Sequence, residues 1–561
     1  MTVRNAVPVS WFPKSLSNCV DSTPVFPGAM LTLQNLIPDV STKDVWQCRP
    51  AAQQLVDFSL TGGQFSNAFS SAFALGLTGP GAFISCLKVV GNRAYGMIAS
   101  TSVYPGKDVP FSYNLVNGMF DPITGETANN LPISPNTSGA WTPPTADVIG
   151  TKLIITHPGF NTLNGYFGIL DISDPTAPVW SSGNTATTAL AAVPVAVKQF
   201  NQRAWYLVNP STGQPGAYFS DVLDPLTITD PTHILTFDDN VPLTALGALP
   251  LSNQLGGVIQ ALIVFKGTSN MYQVTGDAAL TNSPLTRNAL NIATGTLAPN
   301  SICSTPKGLM FMAPDGMRLI DFNAVVSDPI GIEGMGMTMP FQFSVVPSRV
   351  AAACNLSLVR ISTQDGSDPG NPFEEYWYDM GRSRWSGPHT FPASLIQPYT
   401  NTFIMAPHGV ISKLFQSDAV QSATSTFVEN GVQMSFVFTT SLLPNTGRIA
   451  ENYISEATVD MALVSGVSYP INVLDPQFTV LDSTSVISAL ASGAVWGSFT
   501  WGSATWGSAA SHMAPRKVNF TKPIVTDQMY FQVNGACAQA IKIGKLYFRY
   551  SPLGYLVNEA A

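Results

Sequence analysis

Histidine is the natural place to look for acid–base or metal chemistry. The chain has five: His157, His233, His389, His408 and His512. None is followed by Glu, so the H-E-x-x-H arrangement that seats zinc on one helix face is absent. The six cysteines (Cys19, Cys48, Cys86, Cys303, Cys354 and Cys537) form no C-x-x-C pair and no metal-finger spacing with histidine. They read as small buried hydrophobes of a protein made in a reducing cytoplasm. The doublets Glu374-Glu375 and Asp238-Asp239 offer paired carboxylates, but neighbours along a strand point to opposite faces, which is wrong for a glycosidase pair. Asp-Pro recurs at Asp121, Asp174, Asp224, Asp230, Asp328, Asp368 and Asp475. Those carboxylates could gather around a metal. The simpler reading is strand-ending turns, because Pro excludes helix at the residue before it and Asp bonds its own turn. No G-x-S-x-G elbow, phosphate loop or complete G-x-G-x-x-G occurs. The expectation is therefore no catalytic, cofactor or metal residue, and no enzyme.

One segment stands apart. Trp496, Trp501 and Trp506 are five residues apart, each followed by Gly-Ser. A spacing of five fits neither a helix face nor one face of a strand. It reads as a loop, in which each Trp anchors either on a neighbouring subunit or a sugar, or in a crevice of its own domain.

The elements that would position these residues are short strands. Apolar, β-branched and aromatic runs recur in seven units: 84–99, 152–172, 195–220, 262–274, 308–322, 356–385 and 402–415. Gly91-Asn92 is a hairpin turn in the first of them. Small sheets repeated in this way fit a β-propeller; six blades are favoured and seven possible, since some units can supply half a blade. Val45–Cys48 and Leu55–Phe58 are candidates for the strand that closes the ring. QFSNAFSSAFAL, 64–75, is a possible helix or a loop. Past residue 425 the strands lengthen and alternate more clearly, as in a β-sandwich. The fold class is all-β. The predicted domains are an N-terminal arm with a closing strand (1–55), the propeller (56–425) and a C-terminal β-rich domain (426–561).

Composition narrows function. Charged residues are 11% of the chain, against roughly 25% in ordinary globular proteins, which suits a surface hidden in permanent contacts. A net charge of −8 argues against a general DNA-binding surface. Residues 500–561 run the other way, with six basic residues (Arg516, Lys517, Lys522, Lys542, Lys545 and Arg549) against two acidic ones. No signal-peptide pattern and no stretch of about 18 apolar residues is visible, so no membrane anchor is expected.

Four stretches bear a resemblance to a known family. They are PGAMLTLQNLIPDVSTKDVWQCRPAA (27–52), GTLAPNSICSTPKGLMFMAPDGMRLID (295–321), EEYWYDMGRSRWSGP (374–388) and IKIGKLYFRYSPLGY (541–555). In this order they resemble the tail nozzle, or tail hub and packaged-DNA stabilisation, proteins of short-tailed bacteriophages. The resemblance covers under a fifth of the chain. It implies a virion component that forms a ring, hexameric in that family, at the tail tip. Such a ring would join an adaptor ring and the tail fibre or spike proteins, retain the packaged genome, and let DNA leave without sequence-specific contact. The alternative is a propeller tail protein that degrades or binds host-surface polysaccharide.

Overall fold

The second strand of a propeller blade has neighbouring blades against both faces. It should be apolar along its whole length rather than alternating. Gly308–Ala313 is of this kind; Arg203–Val208, Leu358–Gln364 and Thr402–Pro407 are likewise buried at every position but include polar residues. Outer strands such as Thr286–Ala289 are largely exposed. The computed structural model describes residues 7–11, 15–16, 28–58, 83–100, 107–125, 143–160, 165–182, 190–230, 232–237, 239–252, 258–277, 284–330, 346–364, 373–408, 413–443, 452–464, 466–487 and 513–552. Among these the chain is all-β, with two single-turn 3-10 segments and no α-helix.

Six blades, each of four antiparallel strands, make up the propeller; the second carries a fifth strand, Thr124–Gly125, parallel to Val179–Ser182. Their first strands are Phe83–Val90, Thr145–Ile149, Pro194–Phe200, Leu243–Ser252, Ala351–Asn355 and Ala393–Tyr399. A three-stranded sheet (Cys303–Thr305, Gly308–Ala313 and Gly316–Asp321) stands in the ring between the fourth and fifth blades. First strands lie side by side around the ring, and the sixth blade returns to the first. Each of the seven hairpin units falls in a sheet of its own. Six units belong to full blades, completed by segments as short as Met119–Phe120 that carry no periodic signal, and the unit 308–322 belongs to the three-stranded sheet.

Closure of the ring uses Gln53–Asp57, paired with Lys413–Asp418 as the fourth strand of the sixth blade. The Lys413 ammonium reaches Asp57 at 3.3 Å across the same pair. Trp46–Cys48, the other closure candidate, pairs instead with Leu36–Pro38 and with Lys542–Pro552, far from that blade in sequence.

Two further sheets follow the propeller. One holds Ala29–Gln34, Ser435–Thr440, Tyr530–Ala536, Ser468–Leu474 and Val480–Ile487. Its Leu33 also bridges to Gly387, so this sheet continues directly from the fifth blade. The other holds Trp46–Cys48, Lys542–Pro552, Asn452–Ala462 and Ala514–Val518. Both contribute to one hydrophobic core: Leu33, Phe438 and Val533 from the first, Trp46, Val459 and Phe548 from the second. The blade and sheet edge join it through Tyr376, Trp385 and Met310. N-terminal strands are thus built into sheets whose other members come from the far end of the chain.

Candidate functional site

Of the residues singled out in the sequence, His389 and Glu375 come together, as partners on neighbouring strands of the fifth blade; the other described ones do not converge. Trp496, Trp501 and Trp506 lie outside the described residues, as do His512, Cys19, Asp238, Asp368 and the segment 64–75. Glu374 and Glu375 point to opposite faces. Glu374 accepts a 2.6 Å hydrogen bond from the Tyr376 hydroxyl, while Glu375 is buried against Arg360. Asp239 pairs with Lys266. Of the Asp-Pro carboxylates, Asp121 pairs with Arg93 at 2.7 Å across its blade, and four others act locally. Asp174 and Asp230 each accept from the backbone and hydroxyl of the Thr two residues on, at 2.6–2.9 Å. Asp224 and Asp475 cap their own turns in the same way. Among the described residues no three His, Cys, Asp or Glu side chains gather as metal ligands would. The five described cysteines are buried free thiols; burial pushes Cys354 up to about 12.

Two other polar constellations do form. The first lies where the fifth blade, the N-terminal segment and the turn at Glu429 meet. Arg49 makes a forked contact with Glu429, Nη1 to Oε1 at 2.9 Å and Nη2 to Oε2 at 2.7 Å, and its Nε donates to Asn35 Oδ1 at 2.9 Å. The backbone N–H of Ala52 adds a third bond to the Glu429 carboxylate, at 2.9 Å. Burial works against the Arg49 charge, but Glu429 outweighs it and holds the guanidinium above its ordinary value. Beside this pair, Arg360 Nε donates to Glu375 Oε1 at 2.7 Å, and its guanidinium lies 4.6 Å from the centre of the Trp377 ring. Both ion pairs are almost wholly buried. His389 links the two groups. Its Nδ1 accepts the Asn35 N–H at 3.0 Å, and its Nε2 lies 3.1 Å from the Ser386 hydroxyl. Burial, with Arg49 and Arg360 nearby, pushes His389 well below the ordinary histidine value. The ring is therefore neutral, protonated on Nε2.

The second constellation is in the propeller channel. A cavity of about 140 Å³ runs among the first strands of all seven sheets. Its wall is mostly small or apolar, with Ala146, Ala196, Gly247, Ala248 and Ala352 among the lining residues, and its charged lining residues are Lys88 and Lys198. Both bond one carboxylate: Lys88 Nζ to Asp147 Oδ1 at 2.9 Å, and Lys198 Nζ to Asp147 Oδ2 at 3.1 Å. The Gln199 N–H also donates to Oδ2, at 2.9 Å. Burial alone would raise the Asp147 pKa, but the two lysines overcome it and hold the group below the usual carboxylate range.

Neither constellation was assembled from the sequence, although His389 and Glu375 of the first were among its candidates. The channel one had a signal. Lys88-Val-Val, Asp147-Val-Ile, Lys198-Gln-Phe and Gln397-Pro-Tyr each run straight into a hairpin turn, at 91–92, 150–151, 201–202 and 400–401. The same polar offset thus recurs in four blades. The buried junction had none, because Arg49 and Glu429 are separated by 380 residues.

No family model matches the sequence, and no curated protein matches it. Among solved structures the chain is similar to a puromycin hydrolase at 10% identity and a TM-score of 0.36, over 70% of this chain and 61% of that one. It is also similar to a puromycin-hydrolyzing peptidase of Mycobacterium tuberculosis (9%, 0.28, over 64% and 57%). A third is a glycoside hydrolase family 43 arabinoxylan arabinofuranohydrolase from Bacillus subtilis (10%, 0.25, over 84% and 96%). The chain spans about 61% of the puromycin hydrolase's length. These neighbours correct the expectation that the chain is no enzyme: they are hydrolases by name, so an all-β propeller without sequence motifs does not set catalysis aside. At such identities and TM-scores they assign this chain neither a reaction nor a residue.

Proposed function

We propose that the chain is a structural protein of a short-tailed phage virion, a subunit of the nozzle ring at the tail tip that retains packaged DNA and forms the channel for its ejection. The observation that carries this reading is where the four resembling stretches meet. Met30 and Trp46, Cys303 and Met310, Tyr376 and Trp385, and Ile543 and Phe548 come one pair from each stretch, and all sit in a single hydrophobic core. Stretches spread over the whole chain thus form one physical unit, which ties the propeller to the two sheets beyond it. A ring subunit under the load of a packed genome has use for such a joint, because a hinge there would open the ring. In this reading the partners are further copies of the chain, six to a ring, together with an adaptor ring and tail fibre or spike proteins. DNA passes the mildly acidic wall without sequence-specific contact.

Electron microscopy of the purified protein and of virions tests this. Closed rings, and labelling of the tail tip by an antibody to the chain, are expected. A monomer absent from particles would refute the reading, and release of reducing sugar from host capsule would move it to the polysaccharide-degrading alternative. The tryptophan loop is assigned to subunit contact. Replacing Trp496, Trp501 and Trp506 together by Ala should leave the melting temperature of the monomer within a few degrees of wild type and impair ring assembly. A large drop in melting temperature with normal assembly would place the loop in its own domain instead.

A further inference from the structure

Counting back from each hairpin turn gives the register of the channel wall. Val90 pairs with Arg93, Ile149 with Lys152, Phe200 with Arg203 and Tyr399 with Thr402, each across a two-residue turn. Two residues before the strand end stand Lys88, Asp147, Lys198 and Gln397. Four sheets that adjoin around the ring thus place polar side chains in one layer of the channel, in the order Gln397, Lys88, Asp147, Lys198. At the same offset the three-stranded sheet and the fifth blade have Cys303 and Ala353.

The charges of this layer do not cancel. One carboxylate faces two ammonium groups, so a surplus positive charge remains, and among the described residues no other charged side chain lines the cavity. Asp147 stitches the second blade to both the first and the third, and still leaves one cation in excess. Each ammonium has three N–H donors and gives one to Asp147. Lys88 and Lys198 keep 24% and 31% of their side-chain surface exposed, so their remaining donors reach the channel. Two partly exposed cations, bound to a shared carboxylate and flanked by an amide, match the oxygens of an anionic group.

We propose that this layer binds an oxyanion of one negative charge, with Lys88 and Lys198 as its ligands, Gln397 as a further hydrogen-bond donor and Asp147 as the group that spaces the two lysines. The oxyanion is either the carboxylate of a small organic ligand or free phosphate. This inference does not rest on the ring reading, and it holds or fails whether or not the chain assembles.

Calorimetric titration of the full-length protein with acetate and with inorganic phosphate tests it. Saturable binding of one probe is expected, and the tighter probe names the source of the anion. The Lys88→Gln/Lys198→Gln double variant should bind it weaker by roughly tenfold or more, while Lys517→Gln, on an exposed strand, should bind as wild type does. Asp147→Asn separates ligand binding from mere structural support. Removing the internal anion leaves two uncompensated cations, so the probe should bind more tightly even as the protein melts earlier. Absence of saturable binding by either probe would overturn the proposal, as would binding unchanged in the double variant. If the double variant does not fold, unchanged or weaker binding by Asp147→Asn overturns it.

Discussion

The junction at Arg49 and the channel layer at Asp147 use the same chemistry to different ends. In the junction two arginines meet two glutamates, the charges balance, and all four side chains are almost wholly buried. In the channel two lysines meet one aspartate, a charge is left over, and both lysines stay partly exposed. The residue types follow the roles. A planar guanidinium can satisfy a carboxylate at two points without water, whereas an ammonium keeps spare donors for whatever enters the cavity. Charge balance, more than the presence of ion pairs, separates the part that holds the molecule together from the part open to a ligand.

The contrast can be broken most forcefully at the junction. Glu429→Ala leaves Arg49 buried without its partner, and a loss of about 3–5 kcal/mol is expected in denaturant unfolding. Removing both members of the neighbouring pair, as Arg360→Met/Glu375→Leu, should cost far less than either single change, because no charge is stranded. If the single and double variants melt alike, the pair does not behave as a buried unit.

Acid should act on the junction before the channel. His389 is held neutral when folded but takes up a proton near its ordinary value of 6.5 when unfolded. His408 behaves in the same way, with burial foremost and Arg349 second lowering it to about 4. The unfolded state therefore binds more protons below pH 6.5, and stability falls as pH falls, by up to about 1.4 kcal/mol per pH unit for each histidine. Protonating His389 would also displace the Asn35 N–H from Nδ1. Asp147 acts with the same sign but in a lower pH window. Its lowered value gives stability that is present above the ordinary 3.8 and is lost only at lower pH. Thermal melts between pH 6.5 and 4.5 should fall in wild type and fall less steeply in His389→Gln, while Asp147→Asn should shift the whole curve without changing its slope.

Smaller effects sharpen the channel side. Asp147→Asn should cost on the order of 1–2 kcal/mol in unfolding, less than the junction variant, since the lysines it leaves are partly solvated. Lys517→Gln should stay within about 0.5 kcal/mol of wild type; a larger change would mean that the basic C-terminal segment is tied to something beyond solvent. Two of that segment's cations already have acidic partners, Lys542 with Asp39 at 3.1 Å and Arg549 with Glu456 at 3.6 Å.

What was legible in the sequence follows the same division. The seven hairpin units were readable because middle strands such as Gly308–Ala313 are buried on both faces and leave an unbroken apolar run. Blade composition was harder to read, since edge strands such as Met119–Phe120 and Ile234–Thr236 are too short to show a period. Strand alternation separated Glu374 from Glu375 correctly. It could not reveal Arg360, which is diagonal to Glu375 across the strand pair, where Ser362 faces Glu375 and Arg360 faces Trp377. Asn35 and His389 meet only because Leu33 bridges to Gly387, and nothing local marks that contact. The channel layer was legible in principle, as a polar residue at a fixed offset from four turns.

The placement of the N-terminal strands also imposes an order on synthesis. Residues 29–57 leave the ribosome long before their partners, which include Lys413–Asp418, Ser435–Thr440 and Lys542–Pro552. At about 5–20 residues per second, Gln53–Asp57 waits on the order of tens of seconds before the strand that it closes the ring with exists. Blades can form one after another behind it, but the ring and the junction at Arg49 can be completed only after residues 413–429 have been made. A nascent chain halted near residue 400 would then hold an open, unsealed array of blades with its leading segment free. Protection of that segment from protease should appear late and in a single step.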